Sequence, residues 1–181
     1  LLVMIDEQGN LKKEGEYCLN KGMSPRLAKL YYEASERGIE VLGKCLSTWL
    51  NELGRDVKHY TLDLEANLQN LLSSRSKLPK GLQCFSELKD FDPKDLSVLI
   101  AKTYPEWIAK KRSSGGYVLA GGGELILEES KFSKSEFLAV ASFRGRSRAE
   151  LVVSIDKETL IEEFGVKLET HLKVDNDNLG F

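Results

Sequence analysis

The sequence is poor in the residues that build metal centres and disulfide frameworks. Its 181 residues include three cysteines, Cys18, Cys45 and Cys84, and two histidines, His59 and His171. The cysteines are odd in number and widely spaced, which argues against a disulfide framework or a ligand cluster, and Cys45 lies on an apolar helical face where it reads as core. Long apolar runs are also missing. A stretch such as Phe137 to Ala141 is far shorter than the roughly 20 apolar residues that span a bilayer. No basic start followed by an apolar block marks a secretion signal, so a cytoplasmic location with no membrane partner is the expectation. Neither sign of charge dominates, since 26 Lys+Arg face 28 Asp+Glu for a net charge of -2. That balance excludes binding to nucleic acid by bulk attraction alone, though a local basic stripe can still follow a phosphate backbone.

Catalytic motifs are absent as well. Gly121-Gly122-Gly123 is followed by no Gly-Lys-Ser/Thr ending and has no Rossmann spacing, so it reads as a tight strand connection and not a phosphate cradle. Asp6, Glu7, Glu128 and Glu129 form no recognisable carboxylate pair, and Ser154-Ile155-Asp156 has no placed histidine partner. The expectation is no catalytic residue, cofactor or metal within these residues.

What is present is an ordinary globular composition, 41% hydrophobic and 30% charged, enough for one large domain or two small ones. The chain opens on Leu1-Leu2-Val3-Met4-Ile5 without an initiator Met and closes on Asn178-Leu179-Gly180-Phe181 after a strand-like pattern, so both ends are expected to continue into missing sequence. The first half has helical periodicity. A polar turn at Asp6 to Asn10 separates a helix end at Leu1 to Ile5 from a second helix through Glu16 to Leu19. Ser24-Pro25 starts a helix whose Leu27, Leu30, Tyr31 and Ala34 share a face, stopping near Gly38. Leu42, Cys45, Leu46, Trp49, Leu50 and Leu53 form the clearest stripe, and Leu64, Leu68, Leu71 and Leu72 repeat it before a polar linker from Ser73 to Gly81. A bundle covers such faces most economically. Asp92-Pro93 starts another helix with Leu96, Leu99 and Ile100 inward, Tyr104-Pro105 breaks or kinks it, and Trp107 and Ile108 continue a short helix ending in Lys110-Lys111-Arg112.

Beyond Ser113-Ser114-Gly115-Gly116 the period changes. Tyr117 to Ala120 and Leu125 to Leu127 are short strand candidates, and Phe137 to Phe143 and Leu151 to Ile155 are stronger ones. Asp156 can cap a short helix bearing Leu160, Ile161 and Phe164, and Val166 to Val174 alternates as a half-exposed strand. Short strands, a glycine-rich corner and one helix suit a small barrel of the OB type. The fold class is therefore α+β: a helical domain over 1–112 and an OB-like β-rich domain over 113–181, left incomplete by the end at Phe181.

Two basic clusters are the candidate binding residues. Lys110, Lys111 and Arg112 suit a helix C-terminus on structural grounds, yet together with Arg144, Arg146 and Arg148, which fan from a loop between two strands, they can form a stripe that contacts phosphates. Tyr117 and Phe143 can stack on exposed bases, although their strand positions favour core packing.

Several stretches resemble bacterial ATP-dependent helicases of the HrpB type, within the DEAH-box group. They are Leu11-Lys12-Lys13-Glu14-Gly15, Ser24-Pro25-Arg26-Leu27-Ala28-Lys29-Leu30, the run from Ala101 through Tyr104-Pro105 to Lys110-Lys111-Arg112, Gly116-Tyr117-Val118-Leu119-Ala120-Gly121-Gly122-Gly123, and Phe137-Leu138-Ala139-Val140-Ala141. The resemblance implies a winged-helix end and helicase-associated bundle followed by an OB-like domain. It further implies that upstream RecA-like domains of the same protein bind ATP and Mg and hydrolyse ATP, making the parent an ATP-dependent helicase, while this region guides or retains single-stranded nucleic acid, RNA by the resemblance. Near-neutral charge and the absence of a certain stacking site support the alternative, a non-catalytic interaction or scaffold module.

Overall fold

A computed structural model describes residues 8–10, 16, 24–52, 61–74, 78, 82–128 and 130–165. The expected winged-helix end before Ser24, Cys18, His59, His171 and the alternating segment 166–174 lie outside the described residues. The chain is α+β, a helical bundle and a curled, incomplete five-stranded antiparallel half-barrel of OB-like form. It divides into two compact units, one drawn from Leu1–Tyr60 and Leu68–Phe91, the other from Thr61–Asn67 and Asp92–Phe181.

In the first unit, helix α1 (Pro25–Glu36) begins where the Ser24 side chain accepts the Leu27 N–H at 3.4 Å and Pro25 occupies the first turn, whose N–H groups have no intrahelical acceptor. Leu27, Ala28, Leu30, Tyr31 and Ala34 are buried, as the three-and-four spacing predicts. Gly38 ends the helix at a φ of 73°, with its N–H bonded to Ser35 O and the Ile39 N–H to Ala34 O. That reversal needs the left-handed region, which glycine enters without a Cβ clash. Helix α2 (Glu40–Glu52) follows and packs back on α1. The two helices approach most closely at Gly43, where an added Cβ would sit 2.3 Å from the Ala34 Cβ. Trp49 and Cys45 are buried farther along α2, and Phe85 fills the same unit from a 3₁₀ turn at Gln83–Ser86.

The second unit takes in the start of α3 (Leu64–Ser73), whose later residues belong to the first, and continues with α4 (Pro93–Thr103). Asp92 caps α4 by accepting the Lys94 N–H at 2.8 Å, and Pro93 takes the first helical position. The helix ends at Thr103 because Pro105 disfavours helical geometry at Tyr104, which adopts φ −130° and ψ 61°. Here the structure departs from expectation. Residues Pro105–Trp107 make one 3₁₀ turn, and Ile108–Lys111 form strand β1 and not the end of a helix. Ala109 and Lys110 gain partners on both sides, in β2 (Tyr117–Leu119) and β4 (Phe137–Arg144), and that tertiary pairing overrides the helix-terminus reading of the basic run. Ser113 to Gly116 is consequently the β1–β2 turn. The second compact unit takes up the chain again at Asp92, after contributing Thr61–Asn67 earlier in the sequence.

The sheet order is β3-β2-β1-β4-β5, with β3 at Glu124–Leu125 and β5 at Arg148–Ile155. Just past β3, Ile126 bridges in parallel to Arg148, so the first strand of the order curls round to meet the last. Strand β4 is buried on both faces over Phe137 to Ala141. Leu138 and Val140 join Ala109, Tyr117, Leu119, Leu125, Phe132 and Val152 in the interior, while α4 packs against β4 and β5. The segment before α3 adds to β5, where the Val152 N–H bonds to Leu62 O and Asp63 forms a parallel bridge. Asn67 fixes that segment by accepting the Thr61 N–H at 3.0 Å and donating to Thr61 O and Asp63 O, and Asp63 also pairs with Lys131. The chain ends its described course in α5 (Lys157–Phe164), tied to α4 by Lys94–Glu162 and Lys102–Glu163 ion pairs, both at 2.9 Å.

Two predictions follow from these contacts. Gly43→Ala forces a methyl into the α1–α2 contact and is expected to destabilise the protein by about 1–3 kcal/mol, the usual range for overpacking, read as a lower urea midpoint; an unchanged midpoint would refute the close approach. Asp156 accepts the Thr159 N–H at 2.7 Å and the Thr159 hydroxyl at 2.8 Å, and these bonds hold its carboxyl below the usual value of 3.8. A carboxyl depressed by folding stabilises the fold above its unfolded pKa and loses that contribution as pH falls through the folded value. Asp156→Ala is expected to cost about 1 kcal/mol at neutral pH and progressively less as acid protonates the native carboxyl, so parallel melting curves at all pH values would contradict the cap.

Candidate nucleic-acid interface

Lys110 and Arg144 lie toward opposite ends of β4. Antiparallel pairing sets Lys110 opposite Phe137, at the start of β4, whereas Arg144, Arg146 and Arg148 sit at the hairpin beyond its other end. Seven residues of strand separate the two clusters, roughly 20 Å at about 3.3 Å per residue. Most of these cations have local partners. The Lys110 ammonium lies 5.8 Å from the centre of the Phe137 ring, Lys111 donates to Ser133 O, and Arg112 pairs with Glu124 at 2.7 Å. At the hairpin, Arg144 pairs with Glu150 at 3.6 Å and Arg148 with Glu128 at 3.2 Å. Arg146 is exposed at the tip, and among the described residues it makes no ion pair of the kind that engages Arg144 and Arg148. Surface ion pairs of this kind contribute about 0–1 kcal/mol each, so a phosphate can compete for the paired arginines, but Arg146 meets it without first giving up a carboxylate.

Arg146 also borders a cleft of about 580 Å³ in the second unit. Its aromatic lining is Tyr104, Trp107 and Phe143; Leu119, Ala141 and Ser142 come from the sheet, and Glu106, Gly121 and Gly122 also line it. The aromatic lining is ordered by direct ring contacts. Tyr104 stacks on Trp107 with centroids 4.4 Å apart and planes 5° from parallel, and Trp107 meets Phe143 edge to face at 5.0 Å. The break at Pro105 is what places Tyr104 and Trp107 on the same side of one tight turn, closed by the Trp107 N–H to Tyr104 O bond at 2.9 Å. Phe143 reaches them because the β4–β5 ladder shifts register between Val140 and Ser142 and again between Ser142 and Phe143, and such bulges re-aim side chains. Gly121 donates its N–H to Glu106 O at 2.8 Å, and an added Cβ there would lie 2.9 Å from the Glu106 Cβ. The glycine run is thus the tight β2–β3 connection, packed against the residue that lines the cleft.

Of the two aromatic residues singled out from sequence, Tyr117 belongs to the core. It is 6% exposed, its hydroxyl lies 2.6 Å from both Phe132 O and Ser135 O, and burial raises its pKa. Phe143 is half-buried on the cleft wall. The sequence reading overlooked Glu106 and Trp107; the available signal was an aromatic pair spaced three apart across a proline, which places both rings on one turn. No group of three or more metal-ligating side chains is found among the described residues, and none of their helices is long and apolar enough to cross a membrane.

The architecture and the cleft define an α+β protein with an OB-like sheet bearing an aromatic and cationic recess at the mouth of its last hairpin. Solved structures share this fold. The chain is similar to the Escherichia coli DEAH/RHA helicase HrpB, with 17% identity and a TM-score of 0.66 over 87% of this chain and 21% of that one. It is also similar to a second structure, the E. coli DExH-box NTPase HrpB, with 20% identity and a TM-score of 0.69 over 90% of this chain and 21% of that one. The chain therefore spans about a fifth of their length, and its fold resembles the C-terminal region of an HrpB-type helicase. No family model matches the sequence, and no curated protein matches it.

A core role for Tyr117 separates stability from binding. Tyr117→Phe leaves carbonyl groups without their donor and is expected to cost about 1–2 kcal/mol in a denaturant titration while oligonucleotide affinity of the folded protein holds. A loss of affinity at full occupancy of the native state would return Tyr117 to the binding surface.

Proposed function

We propose that this chain is the accessory C-terminal region of an ATP-dependent RNA helicase of the DEAH-box group, acting in the cytoplasm. It guides or retains single-stranded nucleic acid while RecA-like domains upstream in the same protein bind ATP and Mg and hydrolyse ATP. The observation that supports this reading most is the pairing of a fold shared with HrpB structures and a cleft in which Arg146 stands beside Trp107 and Phe143. Single strands expose both features that such a recess can engage, a phosphate for the guanidinium and an aromatic base face. The work of the region is then mechanical: a strand held at the hairpin cannot slip back between strokes of the motor.

The paired arginines refine the expected hierarchy. Arg146 is the primary phosphate contact, Arg144 and Arg148 are secondary because carboxylates already engage them, and Lys110, Lys111 and Arg112 form a separate contact at the opposite end of β4.

Fluorescence anisotropy with a short labelled oligoribonucleotide tests the reading. Weak binding that falls steeply between about 50 and about 200 mM salt is expected, and Arg146→Ala should lower the salt slope by about 1, more than Arg144→Ala or Arg148→Ala does. The chain itself should show no ATP turnover, and its reading frame should continue upstream into paired RecA-like domains. Binding indifferent to salt and to Arg146 would reject the strand contact. A reading frame without those domains would leave the interaction or scaffold module in its place.

A further inference from the structure

We infer that Cys45 and Cys84 form a peroxide-reactive thiol pair, in which a small hydroperoxide oxidises Cys84 and Cys45 then closes a disulfide with it. The pair lies in the first unit, and its chemistry does not depend on strand binding.

Packing brings together two cysteines that are remote in sequence. Cys45 stands on α2, which packs against the 3₁₀ turn Gln83–Ser86 that carries Cys84. An ion pair clamps the same junction, with Lys44 Nζ 3.2 Å from Glu87 Oε2. Between these elements the two thiols are free of disulfides and hydrogen-bond to each other. Cys45 is thus a core residue, as its helical spacing predicts, but its neighbour in the core is a second sulfur.

That contact assigns the two roles. The hydrogen bond with Cys45, helped by the nearby Lys44 ammonium, lowers the Cys84 thiol from 9.0 to about 7 against the opposing effect of burial. The same bond, with burial and the Glu87 carboxylate, raises Cys45. Near neutral pH the pair therefore offers a thiolate at Cys84, the form that reacts, and a retained proton at Cys45. Exposure then selects the oxidant. Cys84 is 9% exposed and Cys45 is fully buried, so hydrogen peroxide can reach the first sulfur where a disulfide the size of oxidised glutathione is held off.

Hydrogen peroxide supplies the full electron balance. The Cys84 thiolate attacks one peroxide oxygen, the O–O bond breaks, and the departing hydroxide is protonated to water, leaving a sulfenic acid. Cys45 Sγ then attacks Cys84 Sγ. The S–O bond breaks, and the hydroxide leaves with the Cys45 proton as a second water. Two thiols have lost two electrons, one peroxide has gained them, and α2 is cross-linked to the turn.

The test treats the folded 181-residue chain with hydrogen peroxide at neutral pH and maps its thiols by mass spectrometry. A Cys45–Cys84 disulfide and the loss of two hydrogens per chain are expected, with a rate that rises with pH through about 7. Oxidised glutathione at equal concentration should react about tenfold more slowly or less. Cys45→Ala should stop the reaction at a Cys84 sulfenic acid, trapped by dimedone, and move the pH midpoint upward because the hydrogen bond is gone. Cys84→Ala should leave Cys45 unreacted. The mapping of the unaltered chain decides the pairing even where a variant folds poorly. A disulfide that forms only in unfolding urea, a link from either cysteine to Cys18, or sulfenic acid on Cys45 would each overturn the inference. So would a pH midpoint that Cys45→Ala leaves in place.

Discussion

Burial of β4 on both faces is the constraint on which the second unit depends. Leu138 and Val140 point into the half-barrel while α4 covers the opposite side of β4 and β5, so the strand cannot slide by one residue without moving charged or small groups into both cores. This fixed strand gives β1 its register, carries the bulges that turn Phe143 toward Trp107, and ends in the hairpin that presents Arg146. The recess is therefore assembled by three neighbours of one rigid element, and no long loop is needed to shape it.

A second dependence runs through Pro105. It stops α4, brings Tyr104 and Trp107 onto one turn and sends the chain into β1. The same residue thus separates the helix that covers the sheet from the first strand within it. The stacked pair then forms the junction between core and recess: Tyr104 is buried, and Trp107 remains half-exposed.

The parts of this fold legible in the sequence were those with a clean period or a terminal signal. The Ser24-Pro25 and Asp92-Pro93 starts, the Gly38 stop, the buried stripes of α1 and α2, and the β4, β5 and α5 segments all follow from local chemistry. Strand β1 was not legible. Four residues span two strand repeats but barely one helical turn, too few to separate the two patterns, and Lys110-Lys111-Arg112 imitates a helix terminus; only pairing with β2 and β4, remote in sequence, decides the matter. The same limit applies to the interface. Sequence exposed every basic residue but not the carboxylates beside them, because Glu124, Glu128 and Glu150 reach Arg112, Arg148 and Arg144 through the folded sheet. It likewise gave no sign that a bulge would join Phe143 to Trp107.

The parallel bridge at Ile126 has a further consequence for how the protein can be recognised. The outer margin of β5 is occupied near its start by Ile126, which exchanges backbone bonds with Ser147 and Ala149, and at its middle by Leu62, which accepts the Val152 N–H. A strand from another protein would have to displace one of these segments before it could extend the sheet there. Edge-to-edge association, the common route by which an open sheet captures a peptide or aggregates, is thereby obstructed. Molecules that approach this side of the barrel are left with side chains and turns to read, and its backbone ladder is already spoken for.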